Sequence, residues 1–232
     1  MNTAAKWPAL PSPAVRLTLL IGIPIAALAP FDVLFSALTL GSPWLRMMWI
    51  AALVLIGARA GAGTGLRLEG HGARHPVLIG LAAAIVVAAY LLVLDCFVFR
   101  SLLDPNYAAF MHRPLGERLV YFMPRAFNEN IMYRLFWFGG LVWLFSRGGR
   151  VPVSSWMLAA AMIGAQLVNV YFNVVMLTPG PVTPIVLLYD ALRFVAPGVL
   201  SAVIYLRYGF TTAEIASVSC HAVLQPGFSV FF

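Results

Sequence analysis

The chain is a succession of apolar stretches, each near the ~20 residues a helix needs to cross a bilayer, set apart by short runs of glycine, proline and arginine. They cover approximately 15–40, 45–60, 77–99, 117–145, 153–177, 182–206 and 211–224. Stretches of this length constrain the backbone severely. In hydrocarbon no water bonds a free N–H or C=O, so each stretch must satisfy its own polar groups as a helix. The composition agrees: 62% of residues are hydrophobic, 10% are charged and the mean hydropathy is +0.90, outside the range of water-soluble globular domains. The expected architecture is all-α, a multi-pass transmembrane helical bundle of about seven helices, forming a single integral-membrane domain over residues 1–232.

Pro24 and Pro30 are expected to bend the first stretch. Gly61-Ala62-Gly63-Thr64-Gly65 opens a polar loop that holds Arg67, Glu69, His71, Arg74 and His75. No Gly-Lys-Ser/Thr follows it and no strand precedes it, so it reads as a connector and not as a phosphate cradle. Thr178-Pro179-Gly180-Pro181 separates the fifth and sixth stretches, and Gln225-Pro226-Gly227 is expected to interrupt the last. The net charge of +7 comes from basic residues scattered between apolar runs, which form no nucleic-acid patch. Loop cations orient a membrane protein instead. With the N-terminus inside, Lys6, Arg16, Arg59, Arg67, Arg74, Arg147, Arg150 and Arg207 fall on the cytoplasmic side, against Arg46, Arg100, Arg113 and Arg118 outside. The first stretch is long and lacks a small-residue cleavage site, so it is expected to stay as a helix and not to be removed as a signal peptide. Cys96 and Cys220 are isolated from one another in sequence and read as small buried hydrophobes, with neither metal nor redox chemistry expected of them.

An Asp or Arg at mid-bilayer costs roughly 2.5–3.5 kcal/mol, so charged residues inside the apolar stretches demand partners or a function. Arg125, Arg134 and Arg193 are such residues, as are Asp32, Asp95, Glu129 and Asp190. Arg193 follows Asp190 by one helical turn, a spacing that predicts an ion pair between them. Asp32 and Asp95 are expected to take interfacial or capping roles. Glu129 lies in the run Phe127-Asn128-Glu129-Asn130-Ile131-Met132-Tyr133-Arg134. On a regular helix a residue five positions on lies about 140° round, so Glu129 and Arg134 are not expected to share a face. Arg125 is better placed for Glu129, and Asn130 for Arg134. Two readings of Glu129 stand open: a structural bridge to Arg125, or a functional carboxylate.

His221 is set in an apolar stretch, whereas His71, His75 and His112 fall in loops. Gln225 shares its face if the helix persists that far. An imidazole and an amide packed against the helix of Glu129 would supply a base, a polarising donor and an orienting amide. Gln166, Asn169 and Asn173 form one polar stripe on the fifth stretch. Its plain structural reading is helix-to-helix hydrogen bonding, worth about 0.6–2 kcal/mol per contact.

These three polar clusters, in this order, resemble the CPBP family of intramembrane glutamic proteases, which includes the CAAX prenyl endopeptidases and bacteriocin-processing relatives. That family carries Glu-Glu-x-x-x-Arg, Phe-x-x-x-His and His-x-x-x-Asn/Asp on successive helices. Here the first motif reads Glu129-Asn130-Ile131-Met132-Tyr133-Arg134 and the third His221-Ala222-Val223-Leu224-Gln225. Asn130 stands in place of the second acid, Gln225 in place of the final Asn or Asp, and the histidine of the second motif is absent, with Asn169 its best match and Gln166 and Asn173 the alternatives. The similar region spans about residues 117–225.

The resemblance implies an endopeptidase that cleaves a membrane-associated peptide or protein with no metal and no other cofactor. Glu129 would activate water, with His221, Asn169 and Gln225 as the remaining catalytic groups and Asn130, Arg134, Asn173 and Gln166 supporting them. An amide holds a water but cannot accept its proton, so the rival expectation is an inactive relative that binds a membrane peptide or partner protein. A transporter with Glu129 as proton relay has less support, because no internal repeat is visible. The expected location is a bacterial cytoplasmic membrane, with the N-terminus cytoplasmic.

Overall fold

The computed structural model describes residues 12–28, 41–69, 75–172 and 183–232, and the regular structure among them is entirely helical. Helix α1 is Pro13–Leu28, α2 Pro43–Thr64 and α3 Pro76–Val93, which widens into a π turn at Leu94–Val98. Short α4 is Pro105–Met111. Helix α5, Leu115–Asn130, passes through a π segment at Ile131–Phe138 into α6, Gly139–Phe145. Helix α7 is Ser155–Val170 and α8 Pro184–Asp190, which runs through a π turn at Ala191–Val195 into α9, Ala196–Tyr208. Helix α10, Phe210–Phe231, completes the set. Asp32, His71, Arg74, Asn173 and the expected break at Thr178–Pro181 lie outside the described residues.

Among the described residues, Pro43–Thr64, Pro76–Val98 and Pro184–Tyr208 are long and apolar enough to cross a membrane. Their outer faces and those of their neighbours carry unburied Leu20, Met48, Leu55, Ile85, Val86, Leu167, Leu187 and Val230. Patches of that extent are rare on proteins surrounded by water.

Two expected breaks are absent. Helix α2 continues through Gly61 to Thr64 and stops only at Gly65, whose φ of 80° is the left-handed cap that glycine adopts without strain. Helix α10 continues through Pro226 to Phe231. Proline there removes one donor, so the carbonyl of Ala222 loses its partner, and Ala222 is exposed. Packing supplies the rest, because α10 lies between α3 and α5 over much of its length.

Helices α5 and α10 run antiparallel in a fixed register. Asn130 Nδ2 donates to the Ala213 carbonyl at 3.0 Å, and His221 stacks on Phe122 with ring centroids 5.3 Å apart and planes 8° from parallel. On the far side, α2 packs against the π segment and α6, and Gly57 makes that approach possible. A Cβ on Gly57 would sit 2.7 Å from the Leu135 carbonyl oxygen. The larger core joins Ile50, Phe127, Ile131, Tyr133, Leu135, Phe138, Tyr205 and Phe210. A smaller one joins Ala84, Ala88, Cys96, Met111, Cys220, Leu224 and Phe228, with both cysteines buried, as the sequence implies.

Candidate functional site

Among the described residues, the π segments Leu94–Val98, Ile131–Phe138 and Ala191–Val195 interrupt otherwise regular helices, and each carries one charged side chain to the same place. Asp95 comes from Leu94–Val98, Arg134 from Ile131–Phe138 and Arg193 from Ala191–Val195. All three line a cavity of about 620 Å³ together with Arg125, Glu129, Asn169, Ser201, Ser217 and His221. Its apolar wall includes Leu91, Phe110, Phe122, Phe194, Leu200 and Leu224. Its volume and mixed lining match sites for small ligands or extended peptide segments. Wide turns of this type recur at functional sites because they re-aim one side chain at the expense of regular hydrogen bonding.

The π segment that follows Asn130 also changes the geometry expected of Glu129 and Arg134. In an α-helix each residue advances about 100°, which separates positions i and i+5. A π turn closes its hydrogen bond on i+5, so that residue returns above residue i. Both side chains consequently face the cavity. Arg134 is buried, with its Nε unpartnered, and Glu129 and Glu214 are the carboxylates near enough to act on its charge. Asp190 is not among them.

Glu129 accepts from Arg125 Nε at 2.7 Å, and the same guanidinium donates to the Tyr121 hydroxyl at 3.2 Å. The bridge expected at this spacing is therefore present, on a carboxylate that also lines the cavity. His221 enters from α10 with its ring held flat against Phe122 and its Nδ1 unpartnered. Asn169 enters from α7, and its Nδ2 lies 3.4 Å from Gln166 Oε1. Gln166 itself is fully buried behind Asn169, close against Gly198 of α9, and does not reach the cavity. Asn130 is turned away as well: besides the bond to Ala213, its Oδ1 accepts from Ser201 Oγ at 3.3 Å. Gln225 is fully buried and outside the cavity lining, with both amide heteroatoms unpartnered. Of the sequence-derived catalytic set, Glu129, His221 and Asn169 come together and Gln225 stands apart, while Asn173 lies outside the described residues.

The pairing expected between Asp190 and Arg193 is replaced by another. Arg193 Nη2 lies 3.1 Å from Asp95 Oδ2, and Tyr189 donates its hydroxyl to Asp95 Oδ1 at 2.8 Å. Asp95 is completely buried and has no interfacial or capping role. The π turn at Ala191–Val195 moves Arg193 off the face of Asp190, whose Oδ2 is left without a hydrogen-bond partner. The guanidinium of Arg193 also lies 4.3 Å above the Tyr107 ring, a cation–π contact. Burial pushes the Tyr107 phenol above its ordinary range, so at neutral pH it remains a neutral donor.

Glu214 was not among the acids singled out from the sequence. It sits on α10, 7% exposed, with both oxygens unpartnered, near Arg134 and Asn130. The sequence does carry a signal for it, an acid inside the apolar stretch 211–224. Among the described residues, no three of His, Cys, Asp and Glu cluster in a way that could hold a metal ion. No family model, curated protein or solved structure matches this chain.

Proposed function

We propose that the chain is a multi-pass membrane protein of the CPBP type that hydrolyses a peptide bond of a membrane-associated peptide or protein, with Glu129 as general base. The observation that carries this reading is the convergence of Glu129, His221 and Asn169 on one cavity inside a bundle with an apolar exterior. In the proposed reaction Glu129 takes a proton from a water held between it and the Asn169 amide. The hydroxide so formed attacks the scissile carbonyl, His221 polarises the developing oxyanion, and Glu129 returns the proton to the leaving amine. Arg125 holds the carboxylate in position throughout. Trp44, at the start of α2, and Trp143 and Trp156, near the far end of that helix, are exposed at the two levels where interfacial aromatics would anchor the bundle. The arginine distribution favours a cytoplasmic N-terminus, and the proposed location is a bacterial cytoplasmic membrane.

A second reading, binding without turnover, is favoured by Asn169 and Gln225: the first cannot accept a proton, and the second lies off the cavity. One pair of variants separates the two. Glu129→Gln keeps size and hydrogen bonding but removes the proton acceptor, so cleavage of a membrane peptide should fall by ~10² to 10⁴ while the fold survives. Asn169→His should raise turnover by adding a second base beside the water. If Glu129→Gln preserves the wild-type cellular phenotype and Asn169→His changes nothing, the protein acts by binding.

A further inference from the structure

Arg118, which the charge distribution assigns to the outer side, is 1% exposed, buried where α5 begins against the end of α10. Its Nη2 bonds Ser229 Oγ, while Nε and Nη1 have no partner, and among the described residues no carboxylate lies within ion-pair distance of it. A guanidinium buried without a counter-charge costs several kcal/mol, so such a group ordinarily has an anion close by. The antiparallel register that sets Asn130 against Ala213 and Phe122 against His221 also sets Arg118 level with Gln225, the fully buried amide whose two heteroatoms are both unpartnered. Two orphaned polar groups therefore face the same crossing.

A separate pocket of about 210 Å³ opens beside them, lined by His112, Arg113, Arg118, Ser229 and the apolar Met111 and Phe232. Arg113 is exposed at the rim and pairs with Glu117 at 3.5 Å, so the nearby acid is already neutralised and Arg118 remains uncompensated. The first backbone N–H groups of α5 point to the same corner, and Pro114 supplies no side-chain cap for them.

We propose that this pocket binds a phosphate group, held by the Arg118 guanidinium and the α5 N-terminus with His112 and Arg113 at its mouth. A phosphate accepts two parallel bonds from a guanidinium, and Arg118 presents such a fork through the second N–H of Nη2 together with the unpartnered Nε or Nη1. The pocket lies near the end of the apolar helix Pro76–Val98, at the level where phospholipid headgroups meet a bundle, and its apolar residues suit the start of an acyl chain. An anionic lipid headgroup and free phosphate share this chemistry. The site is distinct from the larger cavity and independent of any peptidase activity there.

The test is thermal unfolding of the full chain in neutral detergent. Phosphatidylglycerol is compared with phosphatidylcholine at equal mole fraction in mixed micelles, and sodium phosphate with sodium chloride at equal ionic strength. Phosphatidylglycerol should raise the melting temperature by about 4 °C or more relative to phosphatidylcholine, and Arg118→Gln should abolish the rise. A comparable rise with sodium phosphate alone assigns the site to the free anion. Because Arg118→Gln sits in a packed crossing, the rim variant His112→Ala/Arg113→Gln serves as the second probe and should at least halve the shift. Equal melting temperatures in all four additions, or a full shift retained in either variant, would overturn the proposal.

Discussion

The Arg193 guanidinium lies 3.1 Å from an Asp95 carboxylate oxygen and ties the π turn after α3 to the π turn after α8 in the wall of the larger cavity. The pair is held on three sides, by the Tyr189 hydroxyl on Asp95 and by the Tyr107 and Tyr189 rings under Arg193. Asp95→Asn leaves Arg193 buried without its counter-charge, which should destabilise the fold by about 3 kcal/mol or more. Asp95→Asn combined with Arg193→Gln should recover much of that loss, since both charges are then removed. Reversible unfolding in detergent would measure the coupling; equal stabilities of the single and double variants would show that the pair contributes nothing.

The helices themselves were legible, because apolar length and proline or glycine punctuation set where each begins, as at Pro43, Pro76 and Pro184. Their ends were less so: the stop at Gly65 and the passage through Pro226 depend on neighbours that a local pattern does not contain. The site was half legible. Glu129 and His221 stood out because each is expensive in lipid, and they line one cavity. What periodicity could not reveal was the partner of each charge. A spacing rule built on 3.6 residues per turn fails across a π turn, which is why Arg193 left Asp190 for Asp95 and why Arg134 came round to the side of Glu129.

Gly57 makes a second point of close approach testable. Its missing side chain lets the backbone of α2 rest on the Leu135 carbonyl, and a Cβ there would lie 2.7 Å from oxygen and 2.8 Å from carbon, neither of which can rotate away. Gly57→Ala should cost about 1–3 kcal/mol through overpacking, although alanine is the better helix former. A melting temperature equal to or above that of the wild type would show that α2 shifts without penalty.

Two acids act on Arg134: Glu129, which lines the cavity, and Glu214, which is buried outside its lining. Arg134→Ala should lower the folded yield in detergent, because Glu214 then loses the cation nearest its unpartnered oxygens. Adding Glu214→Gln to Arg134→Ala should restore a large part of the yield. Monodisperse protein recovered by size-exclusion chromatography is the readout. Equal yields for Arg134→Ala with and without Glu214→Gln would uncouple the two residues.

Asn130 occupies the position at which the resembled family carries a second acid, and here its geometry requires an amide. Its Nδ2 donates to the Ala213 carbonyl, its Oδ1 accepts from Ser201, and it is fully buried between α5, α9 and α10. Asn130→Asp keeps the acceptor but turns the donor into an oxygen facing the Ala213 carbonyl, with Glu214 close by. Asn130→Ala loses both bonds but buries no repulsion. Asp should therefore be the worse of the two, by about 1–3 kcal/mol beyond the cost of alanine, the penalty for a polar group buried without its partner. Unfolding of both variants against wild type decides it. Should Asn130→Asp match or exceed wild-type stability, the carboxylate has found a cation, with Arg134 the nearest candidate, and position 130 would then accept the acid of the resembled family.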